Sequence, residues 1–152
     1  MLDKPSDYIP KGRLKEFSGD VSVPESAGLR YIGVIVSDDK SKTDGGAVYK
    51  KWKAAEDLYK KWYSQSYGKM NMWLGKIDYV HVQSDTVIVN LLCKHGDDLD
   101  YNALEKAIDA MGKEAAYNNG TVHLPKFGDW EKVLEIIDNK LLKRGLNVNI
   151  YS

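Results

Sequence analysis

Cysteine is nearly absent from this chain of 152 residues, where Cys93 stands alone. A single thiol forms no intrachain disulfide and cannot supply a structural zinc set. A reducing compartment suits such a chain, so a cytoplasmic protein is expected. An excess of either charge sign is missing too, since Lys+Arg and Asp+Glu both count 22 and the formal net charge is +0. A neutral domain lacks the basic footprint that marks most nucleic-acid readers, and no strong nucleic-acid patch is expected. No apolar run is long enough to span a bilayer, and Met1 to Lys15 hold charges and proline where a signal peptide would have its apolar core. No membrane association is expected. His81, His95 and His123 do not fall at metal-ligand spacing, so no metal is expected either.

The chain does have a large apolar share, 43% of its residues. At this length that supplies one complete core, since a domain of about 150 residues buries roughly 68–70% of the surface its unfolded chain exposes. One domain is expected over residues 13–152, and a monomer. It follows a loosely ordered lead-in over 1–12, where prolines and a glycine break any periodicity.

A short strand is read around Arg13 to Phe17. The stretch Leu29 to Val36 (LRYIGVIV) is almost continuously apolar, as a strand covered on both faces must be. Val48, Trp52, Ala55, Tyr59 and Trp62 then recur at helical spacing, predicting an amphipathic helix over roughly 46–64 whose aromatic residues belong to the core. GKIDYVHV and TVIVNLLC read as a hairpin, and Asp100 as the cap of a helix carrying Leu104, Ala107, Ile108 and Met111 that stops at Asn119-Gly120. The strand TVHLP follows. Asp129 then caps a last helix closed by Gly145, and LNVNIYS ends the chain as a strand. Strands alternating with helices build βαβ crossovers, so a largely parallel sheet, mixed at the hairpin, is expected between helices on both faces.

Ligands of such sheets bind outside the carboxyl ends of the strands. The loop from Ser37 to Gly46 joins a buried strand to a helix there, and its Gly45-Gly46 pair lets backbone N–H groups approach a phosphate. The same pair also reads as a tight turn, and Asp38-Asp39 as a solvated, turn-forming stretch. Cys93, at a strand end, reads as a small core hydrophobe before it reads as a nucleophile.

Five stretches together resemble macrodomains: Phe17-Ser18-Gly19-Asp20-Val21; Ile32 to Trp52; Leu91-Leu92-Cys93-Lys94; Leu124 to Glu131; and Asn149-Ile150-Tyr151. The similarity covers about residues 14–152 in order and is nearest to the terminal ADP-ribose protein glycohydrolase type. It implies a three-layer α/β/α fold with a mixed, largely parallel central sheet. The implied partner is ADP-ribose, or a macromolecule carrying it, with no resident cofactor. By this resemblance Asp20 accepts from the adenine amine, the Val21 N–H meets a ring nitrogen, and Tyr151 stacks on the base. The Gly45, Gly46, Ala47 and Val48 backbones hold the diphosphate, Ser37, Asp38 and Asp39 line the distal ribose, and Thr43 and Asp44 belong to the same binding loop. Leu92 and Cys93, with Pro125, Lys126, Phe127 and Gly128, complete the binding set. Lys94 matches the lysine that attacks the anomeric carbon in the glycohydrolase type. Its partner acid lies in a second glycine-rich loop that is shortened here, because Gly128 runs straight into Asp129, the nearest acid. Two functions follow from the resemblance. One is hydrolysis of an ADP-ribosyl linkage, on a modified macromolecule or on a free derivative such as a phosphate ester. The other is a non-catalytic module that recognises or sequesters ADP-ribose-type nucleotides.

Overall fold

A strand of unbroken apolar residues is stable only when both its faces are covered. Arg30–Ser37 (β2) is such a strand, central in a seven-stranded sheet in the computed structural model of the chain. The structure describes residues 10–24, 26–43, 45–66 and 73–152; most of the predicted lead-in, through residue 9, and Asp44 lie outside the described residues. The other strands are β1 (Leu14–Phe17), β3 (Ile77–Gln83), β4 (Thr86–His95), β5 (Asp98–Leu99), β6 (Thr121–Pro125) and β7 (Val148–Tyr151). The helices are α1 (Gly46–Lys51), α2 (Lys53–Ser66), α3 (Tyr101–Tyr117) and α4 (Trp130–Lys140).

The sheet order is β1-β7-β6-β2-β4-β3, with β5 hydrogen-bonded to β4. Neighbours from β1 through β4 are parallel, while β3 and β5 pair antiparallel with β4. This is the mixed, largely parallel sheet the alternation of elements predicts. Side-chain alternation splits the interior in two. Val87, Val89, Leu91 and Cys93 of β4 pack toward α3 and α4 with Leu104, Ile108, Met111, Val133 and Ile137. Ile88 and Leu92 of the same strand pack toward α1 and α2 with Val48, Tyr49, Ala55 and Tyr59. A three-layer α/β/α sandwich results. No helix among the described residues is long and apolar enough to cross a membrane.

The caps follow the sequence closely at α3, where the Asp100 carboxylate accepts from the Ala103 N–H at 3.0 Å. Three features differ from the reading above. The helix predicted over 46–64 is broken at Trp52, whose backbone (φ −123°, ψ 79°) leaves the helical region. Val48, Tyr49, Trp52 and Ala55 are all buried on either side of the break. Asp129 holds the N-cap position of α4, yet its carboxylate makes no capping bond. Its N–H instead donates to the Tyr101 hydroxyl at 2.8 Å, which fixes the chain entry. The third difference is β5: residues 95–98 form a tight two-residue hairpin with Gly96 at φ 59°.

Candidate functional site

Parallel strands leave their carboxyl ends together at one edge of the sheet, where loops must part to enter helices on opposite faces. A cavity of about 690 Å³ opens at that edge. It falls in the 300–1,000 Å³ range of small-molecule sites. The cavity extends from the loop after β1 across β7, β6 and β2 to the end of β4. At the usual 4.7–4.9 Å between strands, that path is roughly 19 Å long. The cleft therefore suits an elongated ligand.

At the β1 end stand Gly19, Asp20 and Val21. Asp20 Oδ1 accepts the Ser22 N–H at 2.9 Å, an Asx turn that fixes the carboxylate and leaves Oδ2 for another donor. Tyr151 forms the adjoining wall. Phe17 on β1 stacks against it at 5.5 Å and His123 on β6 at 5.9 Å, from the strands on either side of β7, and Tyr151 is only 3% exposed. Its ring is therefore largely covered by these two neighbours where it lines the cleft. The Tyr151 hydroxyl shares a 2.9 Å hydrogen bond with His123 Nδ1, and burial lowers the His123 pKa to about 4, so this ring is neutral at neutral pH.

The middle of the cleft is walled by backbone. Gly45, Gly46, Ala47 and Val48 line one side, and Pro125, Phe127 and Gly128 the other. The two adjacent glycines serve different needs. A Cβ on Gly45 would lie 2.1 Å from the Tyr49 ring, so its hydrogen is required by packing. Gly46 has φ 51° and a Cβ there would meet nothing within 4 Å among the described residues, so its hydrogen is required by conformation.

The β4 end carries the remaining charges, Lys94 and Asp97. The β2–β4 register slips at Cys93, pairing Val36 with Leu92 but Ser37 with Lys94. Bulges of this kind re-aim side chains beside functional sites. Lys94 Nζ donates to the Lys42 carbonyl at 3.1 Å, and Asp97 pairs with Lys42 Nζ at 3.3 Å.

Several residues expected at the site are occupied elsewhere. Ser37 is wholly buried: its Oγ donates to the Gly96 carbonyl at 2.6 Å and its carbonyl accepts from Tyr59. Asp38 clamps the same hairpin, accepting the Gly96 N–H at 2.9 Å and meeting His95 Nδ1 at 2.6 Å, a contact that raises the His95 pKa. Asp39 accepts from Ser41 at both N–H and Oγ, which lowers its own pKa. Thr43 Oγ1 accepts the Ser37 N–H at 2.8 Å and bonds the Tyr59 hydroxyl. None of these four lines the cleft, and neither do Leu92 and Cys93, which lie in the core with no exposed surface. Burial pushes the Cys93 thiol up to about 12, so it is no nucleophile at neutral pH. Lys126 turns outward over the Trp130 ring, and exposed Asp129 sits outside the cleft. Asp44 lies outside the described residues.

Sequence reading missed Gly33, Val34, Ile35, Asp97 and Leu99, all of which line the cleft. Two signals could have found them. A glycine inside a strand marks close approach of another group, and Gly33 has Leu124 Cδ2 2.4 Å from where its Cβ would be. Gly96-Asp97 between two short polar-apolar runs is a hairpin dipeptide. Among the described residues no cluster of His, Cys, Asp and Glu could hold a metal ion.

No protein-family model and no curated protein matches the chain. Solved structures do. The chain is similar to a macrodomain protein from Streptomyces coelicolor, at 25% identity over 92% of this chain and 99% of that one, with a TM-score of 0.84. A protein of unknown function from Bacteroides thetaiotaomicron matches at 24% identity over 92% and 98%, also with a TM-score of 0.84. The macrodomain of Thermus aquaticus DarG matches at 18% identity over 93% and 99%, with a TM-score of 0.65. The parallel sheet with its edge cleft is the macrodomain fold. Recognition of the chain as macrodomain-like from its five sequence stretches agrees with these structures.

Proposed function

We propose that the cleft binds ADP-ribose, with the adenosine at the β1 end and the distal ribose at the β4 end. The observation that carries this reading is the order of chemistry along the cleft. A fixed carboxylate, Asp20, stands at one end, a glycine-walled waist lies in the middle, and a lysine with an acid stands at the other end. Asp20 would accept from the adenine amine. The waist, walled by Gly45 to Val48 at the start of α1, brings backbone with little side chain against the space a diphosphate would fill. Isothermal titration with ADP-ribose, AMP and ribose 5-phosphate tests it. Tight 1:1 binding by ADP-ribose and much weaker binding by either half is the expected result; equal binding of AMP and ADP-ribose would remove the distal half of the cleft from the account.

Hydrolysis is the second reading, favoured by Lys94 facing the cleft. In it the Lys94 amine lone pair forms a bond to the anomeric carbon while the glycosidic bond breaks and its electron pair leaves with the departing group. An acid protonates that group, and water then releases the ribose and restores the amine. Asp129, outside the cleft, is poorly placed for the acid role; Asp97, on the cleft wall, is better placed. Lys94 is tethered to a backbone carbonyl and Asp97 is ion-paired and 71% exposed, so slow turnover is the expected rate regime. The target is an ADP-ribosyl linkage, and partners are ADP-ribose or a macromolecule bearing it.

A further inference from the structure

A second cavity, of about 220 Å³, lies on the α1/α2 face of the sheet over β1, β7 and β6. Helices cover β2, β4 and β3 on that face, and among the described residues no helix lies above this corner of the sheet. Alternation places Arg13, Lys15, Asn147 and Asn149 on the same face, since each is an even number of residues from Phe17 or Tyr151. Among the described residues two cations and no carboxylate line the cavity. That is an unusual wall in a chain of zero net charge.

Asn149 decides what the wall is for. It is 7% exposed, it lines the cavity, and its side-chain amide has no hydrogen-bond partner among the described residues. Buried amides are nearly always bonded, and one left open toward a polar space points to a group that fills that space. The neighbouring hydroxyls are already engaged: Ser26 Oγ and Thr121 Oγ1 bond His123 Nε2 at 3.2 and 2.8 Å. Asn147 Oδ1 accepts the Arg13 N–H at 3.0 Å, which orients that amide with its NH2 as the remaining donor. What is left to a ligand is mostly donors: the Arg13 guanidinium, the Lys15 ammonium, the Asn147 NH2 and the Asn149 amide, whose NH2 donates and whose Oδ1 accepts. Two cations and two amide NH2 groups, against one open acceptor in Asn149 Oδ1, suit an oxyanion, and the arginine fork suits its paired oxygens. The volume is several times the roughly 30 Å³ share of one water, so a phosphoryl group with a small substituent fits.

We propose that this corner is a second, small-molecule binding site, selective for a phosphoryl group and separate from the cleft. It does not depend on what the cleft binds. The test is an amide-resonance titration of the whole chain with inorganic phosphate. Saturable shifts at Lys15, Thr121 and Asn149 are expected, and Lys15→Glu and Asn149→Leu should each weaken them about tenfold or more, with the melting temperature of Lys15→Glu unchanged because that side chain is exposed. The proposal is overturned if no saturable shift occurs, if shifts are confined to the Gly45 to Val48 region of the cleft, or if folded Lys15→Glu and Asn149→Leu bind phosphate as the parent does.

Discussion

Replacing Gly46 by glutamate separates a ligand-facing glycine from a turn glycine. At φ 51° an L-residue costs about 1–2 kcal/mol relative to glycine, with no steric addition because nothing among the described residues lies within 4 Å of the new Cβ. For a domain of this length that corresponds to a fall of about 2–8 °C in melting temperature. Binding should suffer far more. The side chain enters the cleft waist, and a like charge at about 4 Å costs about 4 kcal/mol at an effective dielectric of 20, roughly a thousandfold in affinity for a diphosphate. Gly46→Ala is the control, since it carries the same backbone strain without bulk or charge and should bind within a few-fold of the parent. Gly45→Ala should behave in the opposite way, losing stability by about 1–3 kcal/mol because its Cβ meets the Tyr49 ring. Calorimetry for affinity and a thermal melt for the fold read both quantities on the same samples. A folded Gly46→Glu protein that binds ADP-ribose as well as the parent would refute the placement of the diphosphate.

Asp20→Ala should weaken ADP-ribose binding about 10- to 100-fold, since a hydrogen bond to a charged group contributes about 1.5–3 kcal/mol; unchanged affinity by calorimetry would take Asp20 out of the site. Lys94→Ala should abolish release of ADP-ribose from a modified protein while retaining binding, and turnover that survives the substitution would end the lysine mechanism. His123 sets an acid limit on stability. Its folded pKa of about 4 lies below the usual 6.5, so the unfolded chain binds the extra proton. Stability should be complete above pH 6.5, decline as pH falls toward 4, and level off below it, a total of about 3 kcal/mol at 1.36 kcal/mol per pH unit. Urea midpoints across this range measure it, and a His123→Gln variant with an undiminished slope would assign the effect elsewhere.

The fold was legible wherever one physical demand dominated a segment. β2 had to be covered on both faces because it has no polar alternation, and Asp100 had one evident use, as a cap. The Trp52 break was not legible, since the hydrophobic spacing through Val48, Trp52 and Ala55 is what an unbroken helix would also show. At the cleft, the glycine-rich stretches marked in the sequence meet in space: Gly45 to Val48 and Gly128 all line it. Short polar side chains are less legible. Ser37, Asp38, Asp39 and Thr43 can bond a ligand or the turn that contains them, and the sequence carries no mark of which. The structure shows the turn. Leu92 and Cys93 lie in the core, because a strand end belongs to the core until its last buried pair, and here that pair is theirs. Asp97 was hidden by the hairpin that presents it, which only the Gly96-Asp97 dipeptide announces.

The measurement closest to the central claim is an amide-resonance titration of the intact chain with ADP-ribose. Saturable 1:1 shifts should spread along one line, from Asp20 and Val21 through Ala47, Val48 and Gly128 to Lys94 and Asp97, the full length of the cleft. The absence of saturable shifts at millimolar ligand, or shifts that avoid this line, would contradict the account.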